Sequence, residues 1–291
     1  YPLHPSQRRR IIYSLTPQTP LQTTTLEKDP ILTMAPVLAI ASVLAALPAL
    51  TMGAAITPRG SDIVGGTTAA LGEFPYIVSL STGGSHFCGG VLIDSRTVVT
   101  AGHCTIDQRA SSVKVRAGTL TWASGGTQVG VSSLTLHPSY TVDSQGVPDN
   151  DVGVWHLATA IPTSSTIGYA TLPASGSDPA AGTTLTVAGW GTTSENSNSL
   201  PSTLRKVSVP VVARATCDSD YDGEISNNMF CAAVAAGGKD SCSGDSGGPI
   251  VDPSGTLVGV VSWGQGCAER GFPGVYTRLG NYVSFINSNR G

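Results

Sequence analysis

Short apolar runs rich in β-branched residues recur along the chain, and stretches of Gly, Ser, Asn and Pro separate them. Runs of about four to eight residues bounded by turn residues are typical of β-strands, and many in succession favour a sandwich or a barrel. The runs read YIVSL, VVT, VKVRA, LTVAGW, KVSVPVV and TLVGVVSW. The pattern therefore predicts an all-β protein.

The last apolar positions follow a helical period instead. Leu279, Tyr282, Val283 and Ile286 recur at i, i+3, i+4 and i+7, which places them along one face of a helix. The chain is therefore expected to end in a C-terminal α-helix.

The first sixty residues have a different character. Residues 1–33 are polar and irregular, and we interpret them as a gene-model extension or a disordered segment. Residues 34–55 begin at the first methionine and run through an apolar stretch to small residues, which predicts a signal peptide and a secreted, extracellular protein. A membrane anchor is the alternative, because no charge lies between Asp29 and Arg59. Two prolines interrupt that stretch and disfavour the anchor.

Charge and cysteine content narrow the function of residues 63–291. This part of the chain carries eleven Lys and Arg against sixteen Asp and Glu and has no basic stripe, which argues against nucleic acid as a partner. Its six cysteines are an even number, which suits disulfides in an exported chain, and fifteen pairings are open. No C-x-x-C pair occurs, so a zinc site is disfavoured.

The segment GDSGGP at residues 244–249 carries the strongest chemical signal. A serine hydroxyl is a poor nucleophile unless a base removes its proton and nearby donors stabilise the resulting oxyanion. Glycines around Ser246 allow a tight turn that can aim the N–H groups of Gly244 and Ser246 at one point. We expect Ser246 to be a nucleophile beside an oxyanion hole.

Two further segments offer a base and an acid. His103 lies in VTAGHC, at the end of a β-branched run, and Asp149-Asn150-Asp151 precedes the strand-like VGVWHL. The alternatives to His103 are His86, His137 and His156, and neither His137 nor His156 has a neighbouring catalytic signature. The order along the chain is therefore His, Asp, Ser, with Asp151 or Asp149 as the acid.

These segments together resemble the trypsin–chymotrypsin family of serine endopeptidases, over residues 63–291, and look most similar to secreted fungal trypsins. Further segments carry the resemblance: IVGG at 63–66, FCGG at 87–90, GWG at 189–191, SWG at 262–264 and PGVYT at 273–277. The resemblance implies two six-stranded antiparallel β-barrels, with the active site in the cleft between them. It also implies hydrolysis of peptide bonds through an acyl-enzyme intermediate.

The resemblance assigns roles to the catalytic residues. His103 would be the general base and then the acid, and Asp151 would orient its imidazole. Asp151 is preferred to Asp149 because it directly abuts the apolar strand, as in the family pattern. Gly153 stands where relatives usually carry Ala, a difference expected to have little effect.

The resemblance also implies a substrate pocket selective for Arg and Lys. Asp240, six residues before Ser246, would lie at its base, and Gly264 and Gly274 would leave it open. Ser262, Trp263 and Gly264 would form the strand that pairs with the substrate backbone. A chymotrypsin-like or elastase-like specificity is the rival, and Asp240 argues against it. A catalytically inactive binding protein is the other rival, and the complete triad argues against that.

The family pattern further implies three disulfides, each worth about 3 kcal/mol in the chain-entropy model. They are Cys88–Cys104, Cys217–Cys231 and Cys242–Cys267.

Activation is implied by the same resemblance. Residues 56–62 would be a propeptide, whose removal lets the amine of Ile63 pair with the buried carboxylate of Asp245. The residue before Ile63 is Asp62 and not Lys or Arg, so a different processing protease, or trimming after a cut at Arg59, is required.

No cofactor is expected. The stretch from Ala117 to Val129, where calcium-binding trypsins hold the ion, has no Asp or Glu, so no calcium site is expected there. The expected partners are protein and peptide substrates, together with protein inhibitors. The protein is expected to be a monomer that is not bound to a membrane.

Overall fold

A computed structural model describes residues 63–195, 197 and 199–291. The expectations for residues 1–33, 34–55 and 56–62 lie outside the described residues. Among the described residues, no helix has the length and apolar character needed to cross a bilayer.

The described chain forms fifteen strands and two short α-helices. The strands are β1 (Thr67–Thr68), β2 (Ile77–Thr82), β3 (Ser85–Leu92), β4 (Thr97–Thr100), β5 (Val113–Ala117), β6 (Thr127–Leu136), β7 (Thr141–Val142), β8 (Pro148–Asp149), β9 (Gly153–Leu157), β10 (Thr184–Gly189), β11 (Arg205–Val212), β12 (Met229–Ala232), β13 (Pro249–Val251), β14 (Leu257–Trp263) and β15 (Gly274–Arg278). The helices are α1 (Arg214–Asp220) and α2 (Val283–Ser288), and 3₁₀ turns span Ile63–Gly65, Ala110–Ser112 and Leu279–Tyr282.

The first barrel closes in the order β2-β3-β4-β9-β6-β5, with every neighbouring pair antiparallel. Its strand β2 reads IVSLST and is buried from Ile77 to Ser81, so buried serines interrupt its apolar positions. Val78 and Leu80 point into the barrel, whereas Ile77 packs in the cluster between the barrels. The buried hydroxyl of Ser79 has a hydrogen-bond partner in His86 Nδ1, at 2.8 Å.

The second barrel closes through six antiparallel strands in the order β11-β10-β13-β14-β15-β12, and β1 adds to the edge of β11. Its interior is filled by fully buried side chains that include Leu185, Val209 and Tyr276. The two six-stranded antiparallel barrels predicted above are thus confirmed.

A shared apolar cluster joins the two barrels. Val99 and Val154 of the first barrel meet Trp190 and Val260 of the second, and all four are essentially excluded from solvent. Burial of one such side chain is worth about 1.5–3 kcal/mol, so this cluster fixes how the barrels face each other.

The C-terminal helix is present but begins differently from its apolar period. Its first turn, Leu279–Tyr282, is 3₁₀, and the α-helical part is confined to Val283–Ser288. Leu279, Tyr282 and Ile286 are buried in the cluster between the barrels, whereas Val283 is only half-buried. Packing against the barrels selects three of the four predicted positions.

Strand β6 and helix α1 do not show the apolar periodicity expected of a strand or a helix. Strand β6 is paired on both sides but has only one buried residue, so its sequence TQVGVSSLTL shows no clean alternation. Helix α1 has seven residues and the sequence RATCDSD, which has no amphipathic period. Its residue Cys217 is disulfide-bonded to Cys231 of β12, and this tertiary link holds an element too short to be stable alone.

The six cysteines form the three disulfides that the resemblance implies, with Cα–Cα distances of 6.3, 6.3 and 5.3 Å for Cys88–Cys104, Cys217–Cys231 and Cys242–Cys267. The first joins β3 to the segment after β4. The last links the segment before β13 to the segment after β14. Both therefore brace segments at the junction of the barrels.

Candidate active site

His103 and Asp151 are brought together at the junction of the barrels. The imidazole Nδ1 of His103 lies 2.9 Å from Oδ2 of Asp151, and the His103 backbone N–H donates to Oδ1 at 2.7 Å. The carboxylate is buried, whereas the His103 side chain is 29% exposed. The imidazole therefore has one edge fixed on the carboxylate while the ring remains partly open to solvent.

The second barrel completes the environment of Asp151. Ser262 Oγ on β14 donates to its Oδ2 at 2.5 Å, and Thr277 Oγ1 on β15 donates to its backbone carbonyl at 2.6 Å. Burial by itself would raise the pKa of Asp151, but the hydrogen bonds from His103 and Ser262 outweigh it and hold the pKa below its ordinary value. Asp151 is thus an ionised acceptor at neutral pH.

Asp149, the alternative acid, points elsewhere. Its carboxylate accepts hydrogen bonds from Ser226 Oγ at 3.0 Å and from Asn228 Nδ2 at 3.1 Å. The structure places Asp151 on His103 and leaves Asp149 to link the β7–β8 hairpin to the second barrel.

Hydrogen bonds of the Thr105 hydroxyl hold the segment that carries His103. Thr105 Oγ1 donates to the Ala101 carbonyl at 3.0 Å and accepts the indole N–H of Trp155 at 3.0 Å. A Cβ on Gly153 would lie 2.2 Å from Thr105 Oγ1, so this hydroxyl occupies the space that an alanine would fill. The departure from the family pattern at Gly153 is matched by Thr105.

The turn around Ser246 depends on glycine. Gly244 and Gly247 have φ values of 100° and 74°, in the left-handed half of the map that glycine adopts at no steric cost. A Cβ on Gly247 would lie 2.1 Å from Thr100 Oγ1 of the first barrel, so the close approach also requires glycine. The Gly89 N–H donates to the Ser246 carbonyl at 2.8 Å. Strands of the first barrel therefore hold the turn next to the segment that carries His103.

In the described part of the chain, Ser246 Oγ does not form a hydrogen bond with His103. Catalytic hydrogen bonds are often long or poorly aligned without substrate and tighten when it binds.

The orientation of the peptide between Ser243 and Gly244 is fixed by a hydrogen bond to its carbonyl. The Ser243 carbonyl accepts the Thr192 N–H at 2.8 Å, which turns the N–H of the same trans peptide, that of Gly244, in the opposite direction. Within the described part of the chain, the N–H groups of Gly244 and Ser246 donate to no protein acceptor. Both remain available to a developing negative charge.

His86 supports this turn, a role that the sequence analysis missed. Its Nε2 lies 2.9 Å from the Gly244 carbonyl and its Nδ1 lies 2.8 Å from Ser79 Oγ. Burial lowers the pKa of His86, so the ring is neutral and can donate to the carbonyl while it accepts from the serine. Its position directly before the FCGG segment is the one local signal that could have pointed to it.

A pocket of about 170 Å³ opens beside Ser246. Its lining includes residues from both sides of the Cys242–Cys267 disulfide, namely Asp240, Ser246, Ser262, Trp263, Gly264 and Gly274. The sequence-predicted pocket residues are therefore brought together around one cavity. The indole nitrogen of Trp263 is buried and has no hydrogen-bond partner among the described residues.

Asp240 is a buried carboxylate at this pocket. Its oxygens accept the N–H groups of Ser241 at 2.8 Å and Ala268 at 3.0 Å. Burial raises the pKa of Asp240 to about 6, although these hydrogen bonds oppose the shift. A Cβ on Gly274 would lie 2.5 Å from Oδ1, so a side chain there would cover the carboxylate. No Lys, Arg or His of the described residues pairs with this carboxylate.

Asp245 is fully buried next to the nucleophile. Its carboxylate accepts the N–H groups of Gly191 at 2.7 Å and Cys242 at 2.9 Å, and no Lys, Arg or His of the described residues pairs with it. Burial raises its pKa to about 7. Cβ atoms on Gly189 and Gly191 would lie 2.0 and 2.2 Å from the carboxylate oxygens, which explains the glycines of the GWG segment.

Ile63 begins the described chain within reach of this region. Its side chain is fully buried in the interior of the second barrel, and the Val64 carbonyl accepts the Asp240 N–H at 3.2 Å. Ile63 is thus part of the core, and Val64 is hydrogen-bonded to the residue at the pocket.

Three potential metal ligands meet near the catalytic histidine. A nitrogen of His103 and the sulfurs of Cys88 and Cys104 lie within 4.8 Å of one another. Both sulfurs belong to the Cys88–Cys104 disulfide, so neither is a thiolate that could bind a metal ion.

A serine, an imidazole and a buried carboxylate at the junction of two antiparallel barrels define a two-barrel serine endopeptidase. Residues 63–286 match the family model described as Trypsin. With this match the chain belongs to the trypsin family, and it is a serine endopeptidase.

Curated trypsins are similar over most of the chain. Trypsin Blo t 3 of Blomia tropicalis is 47% identical over 229 residues, which cover 77% of this chain and 84% of that protein. Trypsin beta of Drosophila erecta is 45% identical, with 78% and 88% covered, and a trypsin of Xenopus laevis is 44% identical, with 81% and 94% covered. These relatives are animal proteins, so the comparison does not support the expected likeness to fungal trypsins.

Proposed function

We propose that the protein cleaves peptide bonds after Arg and Lys. Ser246 Oγ attacks the carbonyl carbon and transfers its proton to His103 Nε2, and Asp151 stabilises the imidazolium. The N–H groups of Gly244 and Ser246 bind the oxyanion. The imidazolium then protonates the leaving amine, and a water molecule activated by His103 hydrolyses the acyl-enzyme and restores the Ser246 hydroxyl.

One observation carries the specificity. The buried carboxylate of Asp240 lines the same cavity as Ser246 and has no cationic partner among the described residues. An isolated buried charge is costly, and a substrate guanidinium or ammonium supplies the missing partner through a charge-assisted hydrogen bond. An apolar substrate side chain would leave the carboxylate unpaired, which disfavours the chymotrypsin-like alternative.

Replacement of Asp240 tests this specificity. Asp240→Ser is expected to lower kcat/KM for arginyl peptide amides by about 10²- to 10⁴-fold, because losing a buried charge partner costs roughly 3–5 kcal/mol. Glu269→Ser is the matched control: it removes an exposed carboxylate outside the pocket lining and should retain the preference for Arg. Equal cleavage of arginyl substrates by Asp240→Ser and the parent would overturn the proposal.

Titration with an acylating serine reagent separates the remaining alternatives. An active endopeptidase reacts with one equivalent at Ser246, whereas an inactive binding protein does not react.

We extend the proposal to how the protein is activated and where it acts. The protein is secreted, and removal of residues up to Asp62 frees the amine of Ile63 to pair with Asp245. This is supported by the burial of Asp245 without a cation and by the position of Ile63 in the core. The protein then acts as a monomer on protein and peptide substrates outside the cell, where protein inhibitors can regulate it.

A further inference from the structure

The residue before the catalytic carboxylate has an unusual backbone. Asn150 has a φ of 51°, one of three positive values among the described non-glycine residues. Asparagine tolerates this left-handed conformation better than most residues. The Asn150 carbonyl accepts the Val152 N–H at 2.8 Å, which closes a three-residue turn with Asp151 at its apex. The direction of the Asp151 side chain therefore depends on the conformation of Asn150.

The side chain of Asn150 anchors that turn to both barrels. Its Nδ2 donates to the Ser139 carbonyl at 3.0 Å, in the segment between β6 and β7. Its Oδ1 accepts the Tyr282 hydroxyl at 3.2 Å, and Asn228 Nδ2 lies 3.4 Å from the same oxygen. Asn228 precedes β12, and Tyr282 ends the 3₁₀ turn before α2. Three segments far apart in sequence thus meet on one amide.

Tyr282 is suited to be the donor. Its side chain is buried and its ring packs edge-on against His137 at a centroid distance of 5.1 Å. Burial, together with the nearby charges of Asp149 and Asp151, raises the pKa of Tyr282 well above its usual range, so the hydroxyl keeps its proton. The Ser139 N–H donates to His137 Nδ1 at 3.2 Å, so the same histidine also holds the segment that accepts from Asn150.

We propose that Asn150 is a positioning residue for the catalytic carboxylate, and that Tyr282 acts through it. The amide locks the left-handed turn so that Oδ1 and Oδ2 of Asp151 face the His103 backbone N–H and Nδ1 together. The inference rests on the proposed function, because it assigns Asp151 to the triad. It adds the C-terminal segment to the machinery that orients His103.

Three variants test the proposal, and two of them, at Asn150, separate the backbone from the side chain. Asn150→Gly keeps access to a positive φ but removes the amide, and it should lower kcat for an arginyl amide about 10-fold with KM unchanged. Asn150→Ala also strains the turn and should lower kcat further. Tyr282→Phe removes one hydroxyl and should lower kcat about 3–10-fold, in line with the loss of one hydrogen bond.

Two controls match these changes. Tyr169→Phe removes a hydroxyl that donates to the Ile161 carbonyl at 2.8 Å in the first barrel, and it should lower the melting temperature without changing kcat. Ser144→Ala alters the exposed tip of the β7–β8 hairpin and should change neither quantity. The full chain is used throughout, brought to activity by one treatment and normalised by serine-reagent titration.

The low-field proton resonance of His103 Nδ1–H is the decisive readout. It reports the hydrogen bond to Asp151 without requiring turnover, and it should shift or broaden in Asn150→Gly and Tyr282→Phe but not in Tyr169→Phe. If both variants keep the parental resonance and kcat while only their melting temperatures fall, the residues are merely structural and the inference is wrong. A parent that shows the resonance but cleaves no substrate would instead refute the proposed function.

Discussion

At the residue scale, the site is marked by two buried carboxylates that have no cationic partner among the described residues. Asp240 and Asp245 are both held by backbone N–H groups, and burial raises the pKa of each, to about 6 and about 7. Asp151 is equally buried, but its hydrogen bonds with His103 and Ser262 keep its pKa low. The same residue type is therefore ionised where hydrogen-bond donors surround it, and under the proposed function it receives a cation in the two other places.

The raised pKa of Asp240 predicts a pH dependence of substrate binding. Below about pH 6 the unliganded carboxyl gains a proton and loses its attraction for a basic side chain, so KM for arginyl substrates should rise as the pH falls from about 7 to 5. KM for a neutral substrate should stay flat, as should that of Asp240→Ser for either substrate. Steady-state kinetics across this range provides the measurement, and equal pH profiles for the two substrates would contradict the assignment.

Thr105 Oγ1 occupies the space that a side chain at position 153 would need. We therefore expect substitutions at Gly153 and Thr105 to be strongly coupled in their effects on stability. Gly153→Ala would drive a methyl group into Thr105 Oγ1 and disturb the Trp155 hydrogen bond, at a cost of about 1–3 kcal/mol in the free energy of unfolding. Thr105→Ala alone leaves the indole N–H unsatisfied at a similar cost. Because the second change makes room for the first, the double variant should be more stable than the sum of the single losses predicts, as measured by chemical denaturation. Additive losses would show that the two sites are independent.

At the element scale, side-chain hydrogen bonds hold loops that have no regular secondary structure of their own. The loop between β5 and β6 is an example: Thr121 Oγ1 donates to the Ser124 carbonyl at 2.8 Å and Arg116 Nη1 donates to the Gly125 carbonyl at 2.5 Å. Trp122 Nε1 then donates to the Pro201 carbonyl at 3.1 Å in the second barrel. Hydroxyls, a guanidinium and an indole organise this loop.

This arrangement predicts that the loop is independent of calcium. EDTA should leave the melting temperature and the activity of the parent unchanged, because residues 117–129 offer no carboxylate. Trp122→Phe should instead lower the free energy of unfolding by about 1–2 kcal/mol, since the Pro201 carbonyl loses its donor. Thermal denaturation with and without EDTA tests both statements. A drop of several degrees that calcium reverses would reveal a cation site.

At the scale of the whole molecule, the proposed maturation changes the stability as well as the activity. Asp245 has a pKa near 7 in the folded chain, above its ordinary value of 3.8, so the folded state binds this proton more tightly than the unfolded state does. The resulting stabilisation is complete below about pH 4 and is lost as the pH rises through 7. Once the amine of Ile63 is free, pairing with ionised Asp245 removes this loss.

The full chain should therefore lose on the order of 4 kcal/mol of stability between about pH 4 and 8, relative to Asp245→Asn in the same chain. A chain that begins at Ile63 should lack this loss and be active at once, whereas one that begins at Gly60 should be inactive. Chemical denaturation at several pH values and mass spectrometry of the active species are the measurements. Full activity in a species that starts at Gly60 would refute the proposed insertion of Ile63.

Much of the architecture was predictable because its signals are local. Every apolar run named from the sequence contributes to a strand, since a β-branched segment between turn residues has few other ways to bury its side chains. The partly exposed strand β6 and the short helix α1 were not predictable, because tertiary contacts stabilise them and their sequences carry no period. The 3₁₀ start of the C-terminal segment likewise follows from packing on the barrels.

The sequence by itself determined the strands, the glycine turn around Ser246, and the order of histidine, aspartate and serine, all of which depend on neighbours along the chain. Only the tertiary structure decided that Asp151 and not Asp149 meets His103, 48 residues away, and that Ser262, 111 residues from Asp151, completes its hydrogen bonds. The hydrogen bonds of His86 and Asn150 were also decided there. Side-chain direction and burial depend on how the two barrels pack, and no short-range pattern encodes that geometry.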